Sequence, residues 1–319
     1  MQRPRHLLAV IAIMFLGNGV DRPLAQAVDD PQAMSSARFE IEYLGLSEWT
    51  ATRMLRAEPM RLPTFDLATV RGSAPFDEID SGSDARGQSP ASDLGINSKR
   101  VSGDVRQKPL TWAGKLFFGN DRYCSAQFIA DQVILTAAHC VRSGKTGRFY
   151  NNFLFALQYD DGRWSHRYST RCAATHNGYI DPSTKNDDWI TEKQAPWDYA
   201  MLLVDGSTET GYFGHQWGWN GQYGSAVRIG YPLGLAGGQV IQVDRGPLSI
   251  RGAIVELRYG TRANPHGSSG GGWIGDYNRG DHVISVESFG QDDKPGVGFG
   301  PYFRAPFKEL LAYTLRGCQ

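Results

Sequence analysis

The sequence predicts an all-β protein that ends in one helix. From about residue 109 onward, short apolar runs follow one another at regular spacing, separated by turn residues, which is typical of a sandwich or of closed barrels. The chain also contains 38 glycines among its 319 residues, and 12% of its residues are aromatic. This composition favours a turn-rich β protein over a helical one.

The first 27 residues have the features of a secretory signal peptide. Arg3, Arg5 and His6 form a basic start, and the apolar stretch 7–16 is too short to span a bilayer. The stretch LAQA then offers small residues at both cleavage-site positions, of which Ala27 is the last. We therefore expect cleavage after Ala27, with the mature protein secreted or periplasmic and without a membrane span.

Residues 28–108 differ in composition and hydrophobic pattern from the remainder of the chain. Residues 81–104 are rich in Ser, Gly and Asp, which is typical of a linker or a disordered stretch. Upstream, SEWTATRMLRAEPMRLP predicts one short helix and a Pro-terminated turn. We interpret residues 28–108 as a pro-segment and disordered linker, with a candidate cut after Lys99-Arg100. A permanently attached disordered extension is the alternative.

Residues 109–319 predict a domain built from strands. GKLFFGNDRYCSAQFIADQVILTAA holds three apolar runs separated by GND and AD, and Asp161-Gly162 marks the turn of another hairpin. Later runs are YAMLLV, AVRIGYP, QVIQV, AIVELRY, HVISVESFG and GVGFGPYF. The terminal APFKELLAYTL predicts a helix that starts near Pro306. Its predicted buried face consists of Phe307, Leu310, Leu311 and Thr314 to Leu315.

Charge and cysteine content exclude several classes of function. The 33 basic and 33 acidic residues give a net charge of zero, which argues against a nucleic-acid partner. The four cysteines, for which export makes disulfides available, allow three pairings. Because no two of them have C-x-x-C spacing, we predict no structural zinc site, and we expect a monomer without a metal or another cofactor.

Three polar residues lie in settings that would suit nucleophilic catalysis, which requires a hydroxyl, a base and an orienting acid. His139 ends the apolar run VILTAAHCV beside a cysteine, although a buried core histidine would fit the same pattern. Asp198 stands at the mouth of the strand in WDYAMLLV, with Asp187 and Asp188 as alternatives. An Asp in such a position is often only a turn residue.

The nucleophile candidate lies in PHGSSGGGW. The run Gly267-Ser268-Ser269-Gly270-Gly271 fits both G-x-S-x-G and G-x-S-G-G, so the order of the candidate residues along the chain must decide between them. The α/β-hydrolase order is Ser, acid, His, and the only His after this loop is His282, with no strand–helix unit before it. The order His139, Asp198, Ser269 is that of chymotrypsin.

Together, the segments CSAQFIADQVILTAAHC, WDYAMLLV, GSSGGGW and ISVESFG resemble the marker segments of trypsin/chymotrypsin-like serine proteases. WAGKLFF, IGYP and the upstream RAEPM resemble the bacterial glutamyl-endopeptidase branch. The resemblance covers roughly residues 109–319. It implies two six-stranded antiparallel β-barrels with a C-terminal helix, and a serine endopeptidase that acts on a protein or peptide substrate.

The resemblance also implies a role for each matching residue. Ser269 would be the nucleophile, His139 the general base and then acid, and Asp198 the group that orients the imidazole. The N–H groups of Gly267 and Ser269 would form the oxyanion hole. A disulfide between Cys124 and Cys140 would lie beside the histidine. Cys172 and Cys318 would then pair with each other or remain free.

The substrate pocket and the mode of activation are less well defined by the resemblance. The resemblance places the floor of the substrate pocket near Ala263 and Asn264, and the pocket walls near Ser288, Phe289 and Gly290. Glu287 stands where the glutamyl branch has a pocket histidine and would repel acidic side chains, unless it faces away from the pocket.

Ser268 replaces the Asp that pairs with the new N-terminus in trypsin-like enzymes. We therefore hypothesise that removal of the pro-segment unblocks the cleft. A catalytically inactive relative that binds proteins is the competing interpretation of the whole chain.

Overall fold

A computed structural model describes residues 32–39, 48–65, 101–260, 263–291 and 295–319. The predicted signal peptide, the Ser-, Gly- and Asp-rich stretch up to residue 100 and the candidate cut at Lys99-Arg100 lie outside these ranges. The described part is mostly β-structure. Its strands are β1 Met34–Arg38, β2 Glu58–Pro59, β3 Thr64–Phe65, β4 Val101–Ser102, β5 Ala113–Phe118, β6 Arg122–Ala130, β7 Val133–Thr136, β8 Leu154–Leu157, β9 His166–His176, β10 Trp189–Ile190, β11 Ala200–Val204, β12 Gly214–His215, β13 Ser225–Gly230, β14 Gln242–Arg251, β15 Ile254–Arg258, β16 Gly272–Gly275, β17 His282–Val286 and β18 Val297–Pro301. Its two α-helices are α1 Ala51–Arg56 and α2 Ala305–Leu315.

Six strands form a closed antiparallel barrel in the first half of the domain. Their order is β9-β11-β7-β6-β5-β8, and β8 pairs again with β9 to close the ring. Strand β7 has the sequence VILT and is buried throughout, as expected for a strand enclosed on both faces. Asp161 and Gly162 both have positive φ at the turn between β8 and β9, which matches the predicted hairpin.

A second set of six antiparallel strands, β17-β16-β13-β14-β15-β18, forms the other half. The two ends of this set meet through a bridge between Phe289, which follows β17, and Phe299, which lies in β18. The predicted two-barrel, all-β fold with a C-terminal helix is therefore confirmed. The two barrels meet where Ser125 of β6 forms hydrogen bonds with the 263–271 loop and with Tyr231 after β13, and where Asp198 before β11 accepts a hydrogen bond from Ser288 after β17.

Helix α2 closes the chain against the first barrel. Phe307, Leu310, Leu311 and Thr314 are buried as predicted. Leu315 is 51% exposed, so its assignment to the buried face was wrong. The helix ends at this residue, and a side chain in the final turn can leave the apolar face where no neighbouring element covers it. Among the described residues, no helix is long and apolar enough to cross a membrane.

The chain upstream of residue 109 contributes structure to both barrels. Strand β1 pairs with β9 and β2 with β6, while β4 pairs with β14. The short helix expected in SEWTATRMLRAEPMRLP is α1, and the hydroxyl of Thr50 caps it by accepting the N–H of Arg53. Parts of the predicted pro-segment thus lie against the domain.

Candidate active site

His139 is held where β7 ends. The strand runs into a 3-10 turn, Ala138–Cys140, and Cys140 is joined to Cys124 of the neighbouring β6 by a disulfide. His139 is fully buried. Its backbone N–H donates to Asp198 Oδ1 at 2.9 Å, and its ring Nδ1 lies 2.8 Å from Asp198 Oδ2. Two contacts with one carboxylate therefore fix both the position and the orientation of the imidazole.

Asp198 follows a 3-10 turn and leads directly into β11. It is fully buried, and its Oδ2 also accepts a short hydrogen bond from the hydroxyl of Ser288. Of the two alternatives considered from the sequence, Asp187 accepts hydrogen bonds from Ser143 and Lys145 at a different place, and Asp188 lies at the surface. The carboxylate in contact with His139 is that of Asp198.

The Ser269 loop is packed tightly against the turn that carries His139. Gly267 and Gly270 have φ of 88° and 79°, a region that favours glycine. A Cβ on Gly270 would lie 2.0 Å from Thr136 Oγ1 and 2.7 Å from the Ala137 nitrogen, so this close approach requires glycine. Ser269 Oγ and His139 Nε2 are both buried, and neither has a hydrogen-bond partner within the described ranges.

Two polar side chains of β6 hold this loop from behind. Ser125 Oγ donates to the Gly267 carbonyl at 2.9 Å, and its backbone N–H donates to the Ser269 carbonyl at 2.8 Å. Gln127 donates to the Gly270 carbonyl at 3.2 Å and accepts the N–H of Gly272 at 2.7 Å. The loop is therefore fixed by hydrogen bonds to the first barrel.

The sequence did not indicate that Ser125 and Gln127 hold the Ser269 loop. Ser125 and Gln127 alternate with apolar residues in β6, and a polar residue in such an alternation is typical of a solvent-facing position. Ser268 also lacks an obvious signal, yet its Oγ donates to the Pro265 carbonyl at 2.6 Å inside the loop.

A cavity of about 210 Å³ opens beside the loop. Ala263, Asn264 and Gly290, which we expected near the substrate pocket from the sequence, are among the residues that line this cavity. Leu62, Pro63 and Thr64 from upstream of the domain line its other side. The N–H of Gly267, one of the two expected oxyanion donors, donates to the carbonyl of Met60 at 3.0 Å.

Glu287 does not act as the expected pocket wall. It is fully buried behind the cavity, where its carboxylate accepts hydrogen bonds from Trp273 Nε1 at 2.9 Å and from Arg228 at 3.2 Å. Burial raises the pKa of Glu287, and the neighbouring Arg228 opposes that rise. Arg228 in turn pairs with Asp244 at 2.7 Å. Because the carboxylate of Glu287 is buried inside the barrel and does not line the cavity, it makes no contact through which it could repel an acidic side chain in the pocket.

The side chains of the two residues after Glu287 also differ from expectation. The hydroxyl of Ser288 is turned to Asp198, and the ring of Phe289 is buried between those of Phe65 and Phe299 at centroid distances of 5.4 and 5.2 Å. These two side chains therefore belong to the interior and not to the pocket wall. Successive strand residues point to opposite faces, and the sequence alone does not fix which face is inside.

Both disulfides are present. Cys124–Cys140 clamps the His139 turn, and Cys172–Cys318 joins β9 to the residue beyond α2. The ligand atoms of Cys124, His139 and Cys140 lie within 4.8 Å of one another. Both sulfurs are consumed in the disulfide, so this group does not offer the thiolates that a zinc site requires.

The described geometry agrees with the comparisons with known proteins. The family model described as Trypsin matches residues 100–311, which is more than half of the chain. A search of curated protein sequences gave no significant match. Many solved structures share the fold, among them three proteases.

The first is a thermostable serine protease AL20 from an extremophilic microorganism, with 24% identity, a TM-score of 0.53, and coverage of 64% of this chain and 96% of the other. The protease Anisep from Arthrobacter nicotinovorans has 18% identity, a TM-score of 0.55, and coverage of 69% and 100%. A Glu endopeptidase in complex with MPD has 18% identity, a TM-score of 0.56, and coverage of 67% and 95%. At these identities the likeness establishes the fold, and the family-model match establishes the family. The chain belongs to the trypsin family and is a serine endopeptidase.

Proposed function

We propose that the protein is an exported endopeptidase that cleaves peptide bonds through an acyl-enzyme formed on Ser269. The observation that carries this proposal is the double contact between His139 and Asp198, which lies beside the tightly packed Ser269 loop. The backbone nitrogen of His139 is 2.9 Å from Asp198 Oδ1, and its ring Nδ1 is 2.8 Å from Asp198 Oδ2. A buried carboxylate that accepts a hydrogen bond from the imidazole keeps the proton on Nδ1 and leaves Nε2 free to act as a base.

The reaction uses the side chains in the following order. Ser269 Oγ attacks the substrate carbonyl carbon while its proton passes to His139 Nε2. The oxyanion is stabilised by the N–H groups of Gly267 and Ser269, and loss of one such donor costs about a hundredfold to a thousandfold in rate. The imidazolium then protonates the leaving amine, and water repeats the sequence to release the acid. Asp198 stabilises the imidazolium throughout.

The order of processing follows from the sequence features. We propose cleavage of the signal peptide after Ala27, export to the periplasm or the medium, and later separation of a pro-segment within residues 28–108. The two disulfides support an oxidising compartment. Amino-terminal sequencing of the exported protein tests both cuts: a mature chain that begins at residue 28 and stays there would contradict the pro-segment.

An active-site probe tests the nucleophile. We expect a fluorophosphonate to label the protein on the tryptic peptide that contains Ser269. Ser269→Ala should abolish labelling, whereas Ser268→Ala, which changes the adjacent hydroxyl, should retain it. A folded protein that remains unlabelled under all conditions would refute the proposal and favour an inactive relative that binds proteins.

A further inference from the structure

The segment Ala57–Phe65, which we call the cleft segment, lies across the junction of the two barrels. Its first part, β2, pairs with β6 of the first barrel in parallel orientation. Its last part forms a parallel bridge between Thr64 and Gly290 of the second barrel. The segment therefore spans the junction at which the candidate catalytic groups lie.

The backbone of the cleft segment occupies hydrogen-bonding groups that a substrate would need. The Met60 carbonyl accepts the Gly267 N–H at 3.0 Å, which is the contact expected of a scissile carbonyl in the oxyanion hole. The Pro63 carbonyl accepts the Gly290 N–H at 2.9 Å, and the Phe65 N–H donates to the Gly290 carbonyl at 3.2 Å. These bonds are made between main-chain atoms, so they do not depend on a particular side chain.

Apolar side chains anchor the segment. Met60, Leu62 and Phe65 are 3%, 6% and 4% exposed, and the ring of Phe65 stacks on that of Phe289. With the segment in this position, His139 and Ser269 have no exposed surface. A protease whose nucleophile and base are both shielded from solvent cannot admit a peptide, so this arrangement is a closed state.

The direction of the segment explains why it would not be cut. In acyl transfer, the side chain that precedes the scissile carbonyl enters the pocket beside the nucleophile. Here the carbonyl at the Gly267 donor belongs to Met60, but Leu62, Pro63 and Thr64 cover the pocket. The residues in the pocket thus follow the carbonyl, and the chain runs opposite to a productive substrate.

We propose that the cleft segment is a built-in inhibitor which binds the substrate groove in reverse polarity, captures the oxyanion donor Gly267 with the Met60 carbonyl, and must leave before a peptide can enter. This inference rests on the proposed function, because it assigns the groove around Ser269 to substrate. It identifies the surface formed by Gly267, Phe289 and Gly290 as a binding site for an extended peptide strand whose buried side chains are apolar.

The test uses the full-length protein and compares rates of fluorophosphonate labelling. Leu62→Asp combined with Phe65→Asp replaces two buried anchors by carboxylates and should accelerate labelling of Ser269 by at least about tenfold. Arg61→Ala is the matched control, because this residue directly precedes the Leu62 anchor in the same segment but its side chain is 69% exposed. It should label at the wild-type rate. If the double variant does not fold, as judged by circular dichroism, Phe65→Ala replaces it.

The nonapeptide AEPMRLPTF, added to the Leu62→Asp/Phe65→Asp variant, should restore slow labelling and remain intact by mass spectrometry, whereas a scrambled peptide should leave labelling fast. Equal labelling of wild type and this double variant would overturn the inhibitor and leave the proposed function standing. Rapid cleavage of the nonapeptide would overturn the reversed polarity. Folded proteins that never react at Ser269 would instead refute the proposed function.

Discussion

At the scale of individual residues, a single carboxylate organises the candidate catalytic groups. Asp198 accepts from the backbone and the ring of His139 and from the hydroxyl of Ser288. Three donors on one buried carboxylate satisfy a group that would otherwise be costly to bury. They also fix the imidazole by geometry alone, so that the base is already oriented when a substrate arrives.

Removal of the Ser288 hydroxyl should slow catalysis without weakening substrate binding. In Ser288→Ala, Asp198 loses one donor, and the orientation of the His139 imidazole is less constrained. A hydrogen bond to a charged group contributes about 1.5–3 kcal/mol, and only part of this bears on the transition state, so we expect kcat to fall about tenfold with KM unchanged. Steady-state kinetics on a peptide substrate measures both constants.

Ser285→Ala is the matched control for this change. Ser285 is also buried, but its hydroxyl donates to the Pro301 carbonyl at 2.9 Å and not to Asp198. It should alter stability and leave kcat near the wild-type value. Equal effects of both substitutions on kcat would assign Ser288 a structural role only.

The sequence was sufficient to select the residues in contact but not the groups around them. His139 and Asp198 could be chosen because each stands at the end of an apolar strand, and the order with Ser269 favoured one family. Glu287 could not be placed, because a neighbour such as Arg228 on another strand decides whether its charge is paired. Pairing across strands depends on register, which the local pattern does not contain.

The two disulfides have different tasks at the scale of secondary-structure elements. Cys172–Cys318 closes a loop of 146 residues and ties α2 to β9, whereas Cys124–Cys140 closes 16 residues beside His139. In the chain-entropy account, a loop of about 100 residues contributes about 4.7 kcal/mol and one of about 15 residues about 3 kcal/mol. We therefore expect the Cys172–Cys318 disulfide to affect mainly stability, and the Cys124–Cys140 disulfide to affect activity as well.

Replacing Cys172 and Cys318 by Ser should lower the free energy of unfolding by about 4–5 kcal/mol and leave kcat/KM unchanged at a temperature where the protein stays folded. Replacing Cys124 and Cys140 by Ser should cost less stability but reduce kcat, because the turn that carries His139 loses its anchor. Urea unfolding and steady-state kinetics on both double variants provide the comparison. A larger loss of activity in the first variant would contradict this assignment.

The β14–β15 hairpin carries a pH-dependent contribution to stability. Burial alone would raise the pKa of Glu256, but hydrogen bonds from Arg258 and Arg251 outweigh it and leave the pKa below its ordinary value. A carboxyl with a lowered pKa in the folded state stabilises the fold above its unfolded pKa, and this stabilisation is lost as the pH falls through the folded pKa.

Glu256→Gln should therefore cost about 1 kcal/mol at neutral pH, discounted for the exposed Arg258, and this difference should disappear as the pH falls through the folded pKa of Glu256. Thermal melts from pH 3 to pH 7 would show the two curves converging at the acid end. Glu209→Gln, at an exposed position, should give a constant offset from wild type across the range. Parallel curves for Glu256→Gln would contradict the role given to the two arginines.

Most strands of the domain and the upstream helix α1 could be predicted from the sequence, but the strands upstream of the domain could not. Strands β5 to β7 have mainly apolar runs separated by GND and AD, so their limits are marked. Strands β2, β3 and β4 contain two residues each, too few for any period to be visible. Their pairing is set by barrels that must first exist, so tertiary contacts and not local pattern define them.

At the scale of the whole molecule, the upstream chain is part of the hydrophobic core. Trp49 is fully buried against Phe117 of β5, with ring centroids 5.2 Å apart, and its indole N–H donates to the Asn152 carbonyl at 3.0 Å. Met54 of α1 is also fully buried. The core of the first barrel therefore includes Trp49 and Met54, which precede the cleft segment in the chain and hold its start against the barrel.

Trp49→Ala should consequently affect both stability and closure of the site. Truncation of a buried Trp costs about 3–5 kcal/mol, so we expect a lower melting temperature, with one cooperative transition because the barrel loses part of its own core. Loss of the anchor also lowers the local concentration of the cleft segment at the groove, so Ser269 should react faster with a fluorophosphonate. Trp217→Ala, at a 41% exposed indole, should change neither property. An unchanged melting temperature with faster labelling would mean that Trp49 serves closure alone, whereas a lower melting temperature with unchanged labelling would mean that the cleft segment binds without it.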